Sequence, residues 1–138
     1  MVVVGDCVSA RDVFTDRRIV ANEAVTKSHL QRLRGLLVEY KIECGGFPAK
    51  LEFLLDSPTD ARACAKYLLL DDVTDLIHDV TSGPVSGYTY AYSPTGPVSA
   101  RTGPLFARFE LRASPTSPGV NGHTSFVATD TSEVRADP

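Results

Sequence analysis

Three kinds of side chain in this sequence are suited to chemistry: histidines, a cluster of aspartates, and cysteines. The histidines, His29, His78 and His123, are scattered and form neither an HExxH motif nor a paired ligand spacing. His78 beside Asp79 is typical of a surface pair on a helix rather than of a catalytic couple. The sequence also contains no Gly-x-Ser-x-Gly elbow, phosphate loop or dinucleotide fingerprint. It therefore predicts no catalytic residues, and we expect that the protein is not an enzyme.

The aspartates Asp71, Asp72, Asp75 and Asp79 follow one another at short intervals. Clustered carboxylates can attract a cation, but this spacing is not that of an EF-hand loop. A solvated acidic face on a short helix explains the same pattern, since the helix dipole favours Asp71 and Asp72 near the N-terminus. We therefore predict no metal site and no cofactor.

The three cysteines, Cys7, Cys44 and Cys64, lack a metal-binding spacing, and their odd number leaves at least one unpaired. Cys44 and Cys64 can close a loop, which would stabilise the fold by about 3 kcal/mol if they are oxidised. Export from the cell favours that bridge, whereas a reducing compartment favours two ordinary buried thiols. Both alternatives stay open at this point.

Tyr88, Tyr90 and Tyr92 alternate with small residues, so a β-strand would place all three rings on one face. Two interpretations follow. Exposed rings would form a candidate binding face, for example a platform for carbohydrate. Buried rings would pack against another element, which is the usual role of an aromatic stripe.

Length and composition are those of an ordinary soluble domain. The 138 residues are 43% hydrophobic and 22% charged, which suits a single domain over residues 1–138. The net charge of −3 argues against a nucleic-acid partner, because such proteins usually carry a basic face. The N-terminus has neither 18 consecutive apolar residues nor the features of a signal peptide, so the chain as written is expected to be soluble.

A long helix over residues 18–44 is the main predicted element. The stretch contains no proline, and nothing before Gly45 prevents the helix from beginning as early as Val2. Gly45 and Gly46 predict its end, because glycine adopts the left-handed C-cap conformation at no steric cost. Apolar side chains at steps of three and four predict one buried stripe: Leu30, Leu33, Leu37, Tyr40 and Cys44.

The remaining chain predicts short helices followed by strands. In residues 45–82, helical turns are expected at 47–55, 61–68 and 71–80, the last with an apolar face of Val73, Leu76, Ile77 and Val80. In residues 83–138 the period changes to two, which predicts strands at 87–93, 105–111, 123–129 and 133–135, with a turn at 94–97 and a loop at 98–104. The fold class is therefore α+β, with the long N-terminal α-helix packed on an antiparallel sheet of three to four strands.

Four stretches share their order and spacing with a known family. They are residues 21–40 of the long helix, the Gly-Phe-Pro step in residues 46–51, the tyrosine strand at 86–92, and a closing pattern of Gly122, Phe126, Asp130, Ser132, Val134 and Arg135. Over residues 18–135 the chain thereby resembles the type IV pilins and type II secretion pseudopilins. It departs from them at Glu133, where the family usually has glycine, and in lacking a Gly-Phe-Thr-Leu-Ile-Glu processing signal before the helix.

This resemblance implies a structural subunit of a type IV pilus or a secretion pseudopilus. Such a subunit assembles through its N-terminal helix with copies of itself or sibling pilins, aided by assembly machinery, at the bacterial inner membrane, in the periplasm or in an extracellular filament. The expected inter-subunit surface is apolar, with too little to pack against in a monomer: Val2, Val3, Val4, Val8, Val13, Phe14, Ile19 and Val20.

Residues 1–17 carry charges where pilins have an apolar membrane anchor, notably Asp6, Asp12 and Asp16. They are either the remnant of an anchor into which charges were introduced or the replacement in a natural pilin-like protein that has lost its anchor. The alternative function is a secreted or periplasmic pilin-like binding module. It would hold a partner protein or a surface polymer through Tyr88, Tyr90 and Tyr92 or through loops at 94–104 and 113–121.

Overall fold

The computed structural model describes residues 2–55, 71–98 and 105–137, with side chains described for residues 16–55, 73–98 and 105–137. It contains a long helix, a single 3₁₀ turn at Leu51–Leu55, a short helix and five strands among these residues. In chain order the helices and strands are α1 (Val2–Cys44), β1 (Phe47–Pro48), α2 (Asp71–Ser82), β2 (Tyr88–Val98), β3 (Leu105–Pro115), β4 (Ser125–Thr129) and β5 (Arg135–Asp137). The α+β class, with a long N-terminal helix and a C-terminal antiparallel sheet, is confirmed.

Helix α1 runs unbroken for 43 residues, a length of about 64 Å. The predicted stripe is confirmed, because Leu30, Leu33 and Leu37 are fully buried and Tyr40 is nearly so. The predicted end is also confirmed: Gly45 has a φ of +86° and donates its N–H to the Lys41 carbonyl over 2.8 Å. That geometry satisfies a terminal carbonyl and turns the chain towards the sheet.

Strand β3 is the centre of the sheet. Strand β2 pairs with it along one side, while β1 and β4 share its other side, and β5 pairs with β4; all pairings are antiparallel. The sheet therefore has five strands rather than the predicted three to four. The extra strand is Phe47–Pro48, which pairs with residues 105–106 of β3 where a helical turn was expected. Gly46 permits this, since an added Cβ would lie 2.8 Å from Leu105 Cβ.

Strand β2 is longer than predicted. The sequence predicted a turn at 94–97, but the strand continues through Pro94 and Pro97 to Val98. Both prolines are tolerated because, among the described residues, only β3 pairs along this strand, so β2 lies at the edge of the sheet. Gly96 has a φ of +71°, a conformation that favours glycine and distorts the strand locally. Val98, predicted to begin a loop, is instead the last residue of β2, and the rest of that predicted loop, residues 99–104, lies outside the described chain.

The core lies between α1, α2 and the inner face of the sheet. The predicted apolar face of α2 is confirmed, because Val73, Leu76, Ile77 and Val80 are all buried. Phe47 packs edge-on against Phe109 with ring centroids 4.7 Å apart. The helix predicted at 61–68 lies outside the described residues. The two described helices thus cover one side of a twisted sheet, as helices and sheets do in two-layer domains.

Gly122, in the turn before β4, makes room for the largest fully buried side chain, Tyr88. A Cβ added at Gly122 would lie 2.6 Å from Tyr88 Cζ and would also overlap the hydroxyl. By contrast, a Cβ added at Gly35, on the exposed side of α1, would meet nothing within 4 Å.

These two glycines give a matched prediction for stability. We expect Gly122→Ala to lower the free energy of unfolding by about 2–3 kcal/mol, because the tyrosine ring must shift within a packed core. We expect Gly35→Ala to raise it by about 0.5–1 kcal/mol, since alanine restricts the unfolded chain and favours helix. Urea unfolding followed by circular dichroism measures both. Equal changes in the free energy of unfolding would contradict the close packing of Tyr88 against Gly122.

Candidate functional site

The surface of α1 differs from its prediction at one position. Val20 is 65% exposed, as a candidate assembly residue should be, but Ile19 is only 3% exposed. The expectation that Ile19 has too little to pack against is therefore wrong, because its side chain is buried within the chain itself. The other predicted assembly residues, Val2, Val3, Val4, Val8, Val13 and Phe14, have side chains outside the described set.

Polar contacts fix α1 to the segment that precedes β4. The Glu23 carboxylate accepts the backbone N–H groups of His123 and Thr124 over 3.0 and 3.1 Å. The neighbouring Asn22 amide donates to the Asn121 carbonyl over 2.9 Å. A carboxylate that accepts two backbone N–H groups makes charge-assisted hydrogen bonds, which are among the stronger ones in proteins. We call these residues the upper clamp.

A second polar contact fixes α1 to the turn that follows β4, and we call it the lower clamp. Arg34 donates from Nε to the Thr129 carbonyl over 2.8 Å and from Nη2 to the Asp130 carbonyl over 3.3 Å. The Asp130 carboxylate in turn accepts the backbone N–H of Phe109 in β3 over 3.3 Å. The sequence reasoning missed both clamps. The available signal was that Glu23 and Arg34 are charged residues close to the apolar stripe.

The three tyrosines of β2 face the helices. Tyr88 is fully buried, and its hydroxyl donates to the Thr124 carbonyl over 2.7 Å. Tyr92 is half-buried and donates to the Pro48 carbonyl over 2.6 Å. Tyr90, also half-buried, has its hydroxyl 3.3 Å from His29 Nδ1. All three hydroxyls are thus engaged within the chain, a placement that supports the packing interpretation over an exposed binding face.

Burial changes the acidity of these groups. It raises the pKa of Tyr88 to about 12, and the nearby Glu23 carboxylate acts in the same direction. Burial also raises the pKa of Tyr90 and Tyr92. It lowers the pKa of His29, and Arg32 adds to that effect while Asp79 opposes it. The inner face of the sheet therefore favours neutral side chains.

The other predicted chemical residues lie apart. His78 and Asp79 are exposed on α2 and His123 is exposed before β4, so the three histidines occupy three different places. Within residues 16–55, 73–98 and 105–137, no three His, Cys, Asp or Glu side chains are placed to share a metal ion. Asp75 is exposed, and the side chains of Asp71 and Asp72 lie outside the described set.

Cys44, the last residue of α1, is half-buried and forms a disulfide. Cys7 and Cys64 have side chains outside the described residues, so the pairing of Cys44 with Cys64 stays a prediction.

In the described part of the chain, no helix combines the length and apolar character that crossing a bilayer requires.

The outer face of the sheet carries a polar groove of about 570 Å³. Cross-strand pairs place Thr95 beside Arg108 and Ser93 beside Glu110, and these residues line the groove together with Asp130 and Arg135. Further hydroxyls come from Thr129, Thr131 and Ser132. The sequence reasoning missed this groove, although the alternation of polar residues in β2 and β3 was visible.

Of the three arginines on the outer face, only Arg112 forms ion pairs among the described residues. Arg112 lies between Glu110, 3.0 Å away, and Asp137, with which it also forms an ion pair. Arg108 and Arg135 have no ion-pair partner among the described residues. The Arg108 guanidinium instead lies over Gly96, where an added Cβ would be 2.9 Å from Nη2. Because Gly96 has no side chain, the Arg108 guanidinium has room to lie against the backbone of β2.

Comparisons of the chain with protein-family models, with curated proteins and with solved structures give no match.

The raised pKa of Tyr88 predicts a loss of stability at alkaline pH. Because the folded value of about 12 lies above the ordinary value of 10, the neutral phenol stabilises the fold fully below pH 10, and this contribution is lost as pH rises to 12. The shift corresponds to roughly 2–3 kcal/mol. We expect Tyr88→Phe, which cannot ionise, to lack this part of the loss. Urea titrations at pH 9 and 11.5 measure it, and parallel pH profiles of the two proteins would contradict the prediction.

The upper clamp gives a second prediction. Replacing Glu23 by alanine leaves the N–H groups of His123 and Thr124 without their acceptor, so we expect the free energy of unfolding to fall by about 1–2 kcal/mol. Glu39→Ala is the matched control, because Glu39 is exposed on the same helix and should change stability by less than about 0.5 kcal/mol. Thermal unfolding compares the two. If the two variants have the same melting temperature, the upper clamp does not stabilise the packing of α1.

Proposed function

We propose that this protein is a structural subunit of a filament of the type IV pilus or secretion pseudopilus kind, and that it assembles through α1. The observation that carries the proposal is the length of the helix. Its described buried side chains run from Ile19 to Tyr40, a rise of about 32 Å, whereas the whole helix is about 64 Å long. The buried side chains that are described therefore occupy about half of the helix.

Exposed apolar side chains support the same proposal. Four large apolar side chains in the described part of the chain are exposed, and three of them lie on α1: Val20, Val25 and Ile42. Apolar groups on the open side of a helix can be buried only by another molecule, and helix-on-helix packing is the simplest way to do it. Copies of this chain or sibling subunits are the proposed partners.

The residues that carry the family resemblance have structural roles that fit it. Gly122 makes the seat for Tyr88, Phe126 is buried in the core, and Asp130 joins the turn after β4 to β3. The disulfide at Cys44 supports an exported location, because such bridges persist in oxidising compartments. We therefore propose a location in the periplasm or on an extracellular filament.

A binding module is the second candidate, and the polar groove suits it better than the tyrosines do. The tyrosine face is occupied by packing, whereas the groove opens on the outer face of the sheet and meets α1 where Arg34 bonds the Thr129 and Asp130 carbonyls. A filament role through α1 and a binding role through the groove are compatible, because they use opposite sides of the sheet.

Removing charge from the N-terminal half of α1 tests the filament proposal. We expect the triple variant Asp6→Leu, Asp12→Leu and Asp16→Leu to form oligomers, because burying unpaired carboxylates at a helix contact is costly and leucine removes that cost. Light scattering over a range of concentrations measures the association.

The control is a triple variant with the same change in hydropathy elsewhere: Glu52→Leu, Asp75→Leu and Asp79→Leu, at three exposed acids. We expect it to stay at the molar mass of the unmodified protein. Association of both triple variants, or of neither, would count against assembly through α1.

A further inference from the structure

We propose that the polar groove on the outer face of the sheet binds a glycan that contains acidic sugars. Arg108 and Arg135 would donate to a sugar carboxylate. The hydroxyl groups of Ser93 and Thr95, with the carboxylates of Glu110 and Asp130, would exchange hydrogen bonds with the sugar hydroxyls. The groove opens on the opposite side of the sheet from the exposed side of α1, so the inference goes beyond the proposed filament role and does not depend on it.

The two arginines are the groups that most need a ligand. Arg112 is neutralised on both sides by Glu110 and Asp137, whereas Arg108 and Arg135 have no such partner among the described residues. Guanidinium groups present a rigid fork that matches a carboxylate through two parallel hydrogen bonds. Arg108 is also positioned in advance, because it lies over the open backbone of Gly96.

The polar groups around the arginines suit a sugar. Ser93 and Thr95 make no hydrogen bond through their hydroxyls among the described contacts, so both are available as donors and acceptors. The carboxylate oxygens of Glu110 and Asp130 are acceptors, and sugar hydroxyls can donate to them. The groove of about 570 Å³ has the volume for a few sugar rings.

Composition favours a glycan over other macromolecules. Protein interfaces depend on aromatic or aliphatic anchor residues that become buried on binding. The one large apolar residue that lines this groove, Phe109, is only 3% exposed because it is packed in the core, so it cannot serve as such an anchor. Arginines and carboxylates on this face are equal in number, so it has no net positive charge, which nucleic acids require. A carboxylate carried on a hydroxyl-rich sugar chain fits both conditions.

Binding of tetragalacturonate to the whole chain in solution tests the proposal, with NMR shifts of backbone amides as the readout. We expect shifts confined to residues 93–95, 108–110 and 129–135. Arg108→Gln and Arg135→Gln should each weaken binding by about tenfold or more, because a hydrogen bond to a charged group is lost. Arg17→Gln, which removes the same charge from an exposed position on α1, should leave the affinity unchanged.

Two further probes decide the chemistry of the ligand. The methyl ester of the same tetrasaccharide keeps the hydroxyl groups and loses the charge, so it should bind at least tenfold more weakly. A tetraglutamate peptide should not bind; equal binding of the peptide would assign the groove to an acidic protein and overturn the proposal. Absence of shifts at about 10 mM tetrasaccharide, or shifts that persist in both arginine variants, would also overturn it. The amide spectra of the variants show directly whether they are folded.

Discussion

The fold depends on one contact: the apolar stripe of α1 against the inner face of the sheet. Leu30, Leu33 and Leu37 are fully buried there, and the buried apolar face of α2 extends the same core. The upper clamp at Glu23 and the lower clamp at Arg34 then fix the rotation of the helix, since each bonds to an opposite end of β4. Packing supplies most of the stabilisation, and the clamps supply the orientation.

Features encoded by local periodicity were predictable. The stripe of α1, its end at Gly45 and the buried face of α2 follow from repeats of three and four and from the conformation of glycine. The strand at Phe47–Pro48 was not predictable, because it exists only by pairing with Phe106, far along the chain. The clamps join residues 95 to 101 positions apart, and no local pattern marks such contacts. The polar groove likewise forms only when four strands, β2 to β5, are in register.

The resemblance to pilins and the length of α1 both support the same proposal. One comes from the order of short motifs, the other from a helix about twice as long as its described contact with the sheet. The two surfaces of the sheet also separate the proposed roles. The inner face is occupied by α1, α2 and the tyrosines, so a ligand of the folded subunit is expected on the outer face, where charged and hydroxyl side chains line the groove.

The edge strand β2 determines whether sheets of neighbouring molecules can pair when the protein is highly concentrated. At one end, the backbone of Tyr88 is bonded to Val85 over 2.8 and 3.0 Å; further along, Pro94 has no N–H, and Gly96 bends the chain. Only a short stretch between Tyr88 and Pro94 is left with regular backbone groups for an incoming strand. Such interruptions prevent sheets from joining edge to edge into amyloid-like aggregates. Many copies can therefore be crowded side by side while their sheets remain separate.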